Sequence, residues 1–407
     1  LMSSKFLSNE LLTTLSSFSG YNFSQEKQKI IYLVSKPDLK ENKSNKELYI
    51  MNADGTEAKL ISEEGQAIAE PTFILGGEKI AYIQKGEVYI MNIDGSSKKK
   101  ISQDCNANKD IEGFLFSENL SKLILVKSIK VEGLQVKKGN DAYPDCEKAT
   151  NCYIADDLGY THWNTLQNQI QRPFIYNVNY DKEKDDIIID EKSEINILEK
   201  YTFECPSSPF GGMEEINISK DGNKVYFVCK RFTGREYCIS TSTDIFEYTF
   251  GKNELLNICK GVYENIDNLK VNLYEGIDFT LSFKNQQETI YNNLMKLYGE
   301  KTFYKKDKNG KIDMNLGYNM SPKLSPDNKM ICWMSMERDG YESDINRLYV
   351  FNFETKEKFN ITEGFETFIS SFCWGLDNKT IYFSAVWDAV YQVYKTDIIS
   401  KKVEKIT

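Results

Sequence analysis

The chain has 407 residues, of which 41% are hydrophobic and 27% charged, enough apolar material for a large core and too much for a disordered polymer. Its 60 acidic residues outnumber 51 basic ones for a formal net charge of −9, and no Lys/Arg cluster stands out, so a nucleic-acid partner is not expected: phosphate neutralisation needs basic groups gathered in one place. No run approaches the roughly 18 apolar residues of a membrane span, and Leu1-Met-Ser-Ser-Lys-Phe6 carries no apolar signal core, so no membrane contact is expected and the compartment reads as cytoplasmic, or periplasmic if the N-terminus is truncated.

Two octets forty residues apart, Leu48-Tyr-Ile-Met-Asn-Ala-Asp-Gly55 and Val88-Tyr-Ile-Met-Asn-Ile-Asp-Gly95, are nearly identical. Each reads as a strand of alternating side chains running into Asp-Gly, a dipeptide suited to a two-residue hairpin, with a second strand after each turn at 57–62 and 98–102. Upstream of each strand recurs a polar turn, a lysine and an apolar run: Lys29-Ile-Ile-Tyr32, Lys79-Ile-Ala-Tyr82, Lys122-Leu-Ile-Leu125, Lys224-Val-Tyr-Phe227, Lys329-Met-Ile-Cys332 and Lys379-Thr-Ile-Tyr382. The turn is best kept in Ser219-Lys-Asp-Gly-Asn-Lys224 and Ser325-Pro-Asp-Asn-Lys329, where Asp or Asn bonds its own backbone and Pro presets φ. Six units follow, at about 20–62, 69–102, 111–190, 213–258, 319–361 and 368–407. Repeats of about 40 residues, each a four-stranded antiparallel meander, predict an all-β chain of β-propeller blades, since one such sheet cannot bury both of its faces alone. A long β-sandwich or a β-solenoid is the competing architecture, disfavoured by the meander period.

The spacing is broken twice. One insert spans about 126–171 and holds Tyr153-Ile-Ala-Asp-Asp-Leu-Gly-Tyr-Thr-His-Trp163, where Asp156-Asp157 is placed to cap a short helix with Leu158, Trp163 and Leu166 on one face. The other spans about 261–311 and predicts a helix over 286–298, with Ile290, Leu294, Leu297 and Tyr298 at helical spacing. Long loops in a compact repeat fold are places for lids or partner contacts. Of nine cysteines, Cys229, Cys332 and Cys373 lie in apolar strands and are read as buried free thiols, while Cys146 and Cys152 share a loop that permits a local disulfide.

No catalytic residue is assigned. A Ser–His–Asp triad needs a histidine, and His162, the single histidine, stands in an insert with no Gly-x-Ser-x-Gly elbow anywhere in the sequence. Phosphate loops and metal-ligand clusters are missing, so neither cofactor nor metal is expected. Paired acids such as Asp156-Asp157, Asp185-Asp186 and Glu214-Glu215 are weak evidence of chemistry, because neighbours in a strand face opposite sides of the sheet.

Four stretches are more specific: Ala155-Asp-Asp-Leu-Gly-Tyr-Thr-His-Trp163, Gly211-Gly-Met-Glu-Glu-Ile-Asn-Ile-Ser-Lys-Asp-Gly222, Phe232-Thr-Gly-Arg-Glu-Tyr237 through Ser242-Thr-Asp-Ile245, and Ser335-Met-Glu-Arg-Asp-Gly-Tyr-Glu-Ser-Asp344. In kind and order they resemble the propeller half of the prolyl oligopeptidase family of serine peptidases, within it bacterial dipeptidyl-peptidase type 5 and acylaminoacyl-peptidase-like members. The resemblance runs from about residue 7 to 407 and is interrupted by the 261–311 insert. It implies a seven- or eight-bladed propeller covering a C-terminal α/β-hydrolase domain that carries the serine, aspartate and histidine, here expected beyond Thr407. The chain itself would be the substrate-gating and docking part of an enzyme that cleaves short peptides, its partners a peptide substrate and its own hydrolase domain, with homo-oligomerisation left open.

An enzyme that removes dipeptides must hold a free N-terminal ammonium, which calls for carboxylates in a poorly hydrated pocket. Glu214 and Glu215, at the mouth of the first strand of unit four, are candidates for substrate binding; Glu337 and Arg338, with Asp339, form a second group in the loop after 330–336. For both groups the competing role is an Arg–carboxylate network tying blades together. Two other functions stay in view: a non-enzymatic six-bladed propeller of the TolB type acting as a protein-binding scaffold, and a glycan-processing propeller enzyme.

Overall fold

The computed structural model describes residues 8–102, 105, 111–130, 137–138, 153–154, 169–207, 211–232, 234–269, 275–278, 282–304 and 314–407. The 155–163 stretch, Cys146, Cys152, His162 and the capped helix expected around Leu158 lie outside these residues.

Six antiparallel sheets, five built from consecutive strands and the third interrupted by a small two-stranded sheet of 137–138 and 153–154, are the blades of a six-bladed β-propeller fold. Contacts divide them into two compact units of three blades each. Blade 1 comprises Ser17–Ser24, Lys29–Asp38, Lys43–Asn52 and Lys59–Leu60; blade 2 comprises Ile68–Ile74, Lys79–Gln84, Glu87–Asn92 and Lys99–Lys100. Blade 3 comprises Ile111–Phe116, Lys122–Ile129, Ile170–Asp181 and Asp186–Asn196, so the first insert falls between its second and third strands. In the other unit, blade 4 comprises Ile216–Ile218, Lys224–Cys229, Asp244–Thr249, Glu254–Asn257 and a fifth strand, Val262–Asn265. Blade 5 comprises Asn319–Leu324, Met330–Ser335, Arg347–Asn352 and Lys358–Asn360; blade 6 comprises Ile369–Trp374, Thr380–Trp387, Val390–Asp397 and Val403–Lys405.

The twin octets end in three-residue loops rather than the two-residue turns expected from Asp-Gly. Asn52 N–H donates to Thr56 O across Ala53-Asp54-Gly55, and Asn92 N–H donates to Ser96 O across the equivalent loop. Asp54 accepts from Thr56 N–H at 2.9 Å and Asp94 from Ser96 N–H at 2.9 Å, drawing the following residue back and leaving Gly55 and Gly95 at φ +85° and +93°. This is a turn followed by a left-handed glycine, the commonest three-residue hairpin. A side chain at Gly95 is blocked twice, since a Cβ there would stand 2.5 Å from Ile61 O.

Second strands explain the apolar runs. Val225, Tyr226, Phe227, Val228 and Cys229 are all buried, because a central strand of a packed blade is covered on both faces and cannot alternate. Blades 4 and 5 share a core of Tyr226, Val228, Ile331, Trp333 and Phe351; blades 5 and 6 share one of Cys332, Leu348, Ile369 and Phe383. Blade 6 alternates instead, with Ile381, Phe383 and Ala385 buried and Tyr382 exposed. Cys373 accordingly departs from expectation. Its neighbour Phe372 takes the core-facing position on that strand and leaves the thiol exposed, whereas Cys229 and Cys332 are buried.

The second insert contributes the fifth strand of blade 4 and a helix, Phe283–Tyr298. Ile290 and Leu294 pack with Phe232, Val262, Met314 and Leu316. The inward line follows residues four apart, with Gln286, Ile290 and Leu294 buried and Tyr298 partly buried, and leaves Leu297 on the exposed side against expectation. Among the described residues, no helix is long and apolar enough to cross a membrane.

Candidate functional site

The inner strand of blade 4 is entered through a single 3-10 turn, Met213–Glu215, that follows Gly211-Gly212. The turn separates two adjacent acids. Glu215 is 5% exposed, and its carboxylate accepts Ser207 N–H at 2.7 Å. Gly211 makes room for it, since a Cβ there would lie 2.4 Å from Glu215 Oε2 and 2.7 Å from Ser207 N. Burial pushes the Glu215 carboxyl up to about 8 against the opposing hydrogen bond from Ser207, so at neutral pH it is mainly protonated. Glu214 points the other way and is exposed.

Both acids line a cavity of about 320 Å³ whose far wall is supplied by blade 5. That wall is largely apolar, with Tyr318, Met320 and Met336, joined by Phe368 from the approach to blade 6. Glu342 and Asn346 bring polar groups from the blade 5 loop between Ser335 and Arg347. Lys230 is the cation of the wall; it is 5% exposed, and its Nζ donates to Tyr237 O at 2.6 Å and sits 4.1 Å from the Tyr237 ring centroid. Tyr237 in turn donates its hydroxyl to Glu204 at 2.9 Å.

The blade 5 loop is pinned at two points. Asp344, 4% exposed, accepts the N–H groups of Glu337 at 3.1 Å, Arg338 at 3.0 Å and Ile345 at 2.8 Å. Against its burial, hydrogen bonds from Arg338 and the backbone hold Asp344 below the usual carboxylate range. Asp339 accepts Ser240 Oγ at 2.8 Å and Thr241 N–H at 2.6 Å, and burial raises its carboxyl. These bonds fasten the loop to the segment leading into the third strand of blade 4.

Of the four residues singled out in the sequence for substrate binding, Glu214 and Glu215 line the cavity. Glu337 and Arg338 do not line it; Arg338 pairs with Asp344 at 3.3 Å and stacks 3.9 Å from the Tyr341 ring centroid, while Glu337 lies 4.0 Å from Arg347. Glu342 and Asn346 were not anticipated. Glu342 sits inside the Gly340-Tyr-Glu-Ser-Asp344 stretch that marked this loop, but an isolated acid in a polar loop carries no signal of its own.

Behind the site, a buried ionic network ties blade 4 together. Arg231 donates to Glu264 at 2.6 Å and to Asp244 at 2.9 Å, Lys260 Nζ lies 3.1 Å from Asp244, and Asn257 donates to both carboxylates. Among the described residues, no group of three or more His, Cys, Asp or Glu is arranged to hold a metal ion.

Over 402 residues the chain is 32% identical to dipeptidyl-peptidase 5 of Porphyromonas gingivalis, a match covering 98% of the chain and 49% of that protein. The chain is a homologue of dipeptidyl-peptidase 5. Dipeptidyl-peptidase 5 of Porphyromonas endodontalis matches at 27% identity over 405 residues, 99% of the chain and 49% of that protein. The chain therefore spans about half the length of these dipeptidyl-peptidase 5 relatives. Among solved structures, acylaminoacyl peptidase from Pyrococcus horikoshii shares the fold, with a TM-score of 0.54 at 14% identity over 97% of the chain and 46% of that structure. No family model matches the chain.

Proposed function

We propose that this propeller docks and filters short peptides for a serine exopeptidase or oligopeptidase, whose catalytic α/β-hydrolase domain belongs to a longer protein than these 407 residues. The observation that carries the reading is the cavity faced by blades 4 and 5, which combines an apolar wall with Glu214, in a homologue of dipeptidyl-peptidase 5. An apolar wall accepts side chains of a short peptide, and a carboxylate accepts its N-terminal ammonium. Glu214 is well suited to that contact because, among the described residues, it has no ion-pair partner.

The test uses the complete protein. A fluorophosphonate probe should label one serine, and a ladder of peptides from two to twenty residues should be cleaved only at its short end. Glu214→Gln should raise KM for free-amine dipeptide substrates about tenfold or more, the scale of a lost charge-assisted hydrogen bond. Absence of labelling together with absence of hydrolysis would discard the peptidase reading and favour a binding scaffold. Cleavage of long peptides as readily as short ones would discard the filter.

A further inference from the structure

The connection that runs into blade 4 carries Ser207 and Gly211, and two cysteines meet where it touches the blade. An antiparallel bridge pairs Glu204 of the connection with Lys230, the residue after the second strand of blade 4. Antiparallel register steps forward on one segment and backward on the other, so the next pair along is Cys205 with Cys229. Cys205 N–H turns away from that strand and donates to Gln171 O at 3.1 Å. This is the pattern of a non-hydrogen-bonded pair, whose Cα atoms stand about 4.5 Å apart and whose side chains approach most closely. Disulfides span about 4.4–6.8 Å between Cα atoms, so the two sulfurs can join without a backbone shift.

Both thiols are free, Cys205 at 0% exposure and Cys229 at 1%. Burial raises the Cys205 thiol well above its usual range, with the neighbouring Cys229 as the next cause, and burial pushes Cys229 up to about 12. The charge of Arg172, itself 1% exposed, acts against burial at both sulfurs. Its guanidinium donates to Leu198 O and Tyr201 O, while its buried Nε has no hydrogen-bond partner among the described residues. A thiolate formed during exchange therefore has a cation at hand, but the finished fold closes the pair off from solvent. The time to react is during folding, before the connection seats.

We propose that Cys205 and Cys229 are a disulfide site, oxidised when the chain folds in an oxidising compartment and left as two thiols where reductants prevail. Each cysteine gives up its S–H hydrogen and one S–S bond forms. The two electrons and two protons pass to a disulfide of the glutathione class, which leaves as two thiols. The bond staples the connection to the second strand of blade 4. It thereby steadies two groups of the cavity wall, Ser207 and Lys230, which follow the two cysteines closely in the chain.

The test makes the complete protein by cell-free synthesis in oxidised or in reduced glutathione buffer, alkylates the soluble product in denaturant and maps its peptides by mass spectrometry. Oxidised buffer should give a cross-link between the Cys205 and Cys229 peptides, and reduced buffer should leave both alkylated. The oxidised form should melt about 5 °C or more above the reduced form. Cys332→Ser should keep the cross-link and the difference in Tm, and Cys205→Ser should lose both and leave Cys229 alkylated. Alkylation of both cysteines after oxidised synthesis, or a cross-link from either one to a third cysteine, would overturn the assignment. Equal Tm for cross-linked and reduced protein would overturn the staple.

Discussion

Glu215 offers a perturbation whose sign and size follow from its surroundings. Its carboxyl stands at about 8 in the fold against an ordinary value of 4.5, with burial as the main cause. A group whose value is raised on folding contributes stability that is fully present below 4.5 and is lost as pH rises through about 8. At about 1.4 kcal/mol for each tenfold change in proton affinity, the difference across that window reaches about 5 kcal/mol as a ceiling. Glu215→Gln keeps the acceptor for Ser207 N–H but does not titrate. The variant should therefore match the wild type at or below about pH 4.5, gain on it up to about pH 8 and hold that advantage at pH 9. Thermal or urea unfolding followed by tryptophan fluorescence at pH 5, 7 and 9 measures this, since Trp333 is buried in the core that blades 4 and 5 share. Parallel pH profiles for the two proteins would refute the reasoning, by showing that Glu215 is hydrated or ionised in the folded state.

Two further substitutions test the scaffold. Arg231→Met should destabilise the protein by about 3–5 kcal/mol, because it leaves the buried Glu264, 2% exposed, without its cation and Asp244 with Lys260 alone; a loss below about 1 kcal/mol in denaturant melts would mean that Lys260 serves both carboxylates. Gly95→Ala and Gly55→Ala carry similar backbone strain at φ +93° and +85°, but only the first drives a Cβ to 2.5 Å from a backbone oxygen, so its cost in Tm should be clearly larger. Equal shifts would show that the Ile61 segment moves aside freely.

What was legible in the chain was whatever is encoded locally. The Lys-led apolar runs, the Asp-Gly loops and the Ser-x-Asp turns each act through a few neighbouring residues, so their recurrence announces six meanders before any contact is known. The helix of the second insert was legible for the same reason. The turn type after each octet was not, because Asp54 and Asp94 choose it through a hydrogen bond to the residue beyond the glycine. Cys373 and Leu297 also escaped, because a strand or helix pattern names two faces without saying which one a neighbouring element covers.

The candidate site divides along the same line. The sequence alone established a repeated all-β scaffold, the place of its interruptions and Glu214-Glu215 as residues to watch. Only the tertiary structure decided that these two acids of one cavity part company, one buried with its carboxyl pushed up and the other exposed, because the difference lies in the volume left free by Gly211 and in the reach of Ser207 N–H. It also decided that Glu342 and Asn346, more than a hundred residues further on, share that cavity. Burial and charge state depend on what packs alongside: Ser207 and Gly211 lie within eight residues of Glu215, whereas the opposite wall of the cavity comes from the next blade, far along the chain.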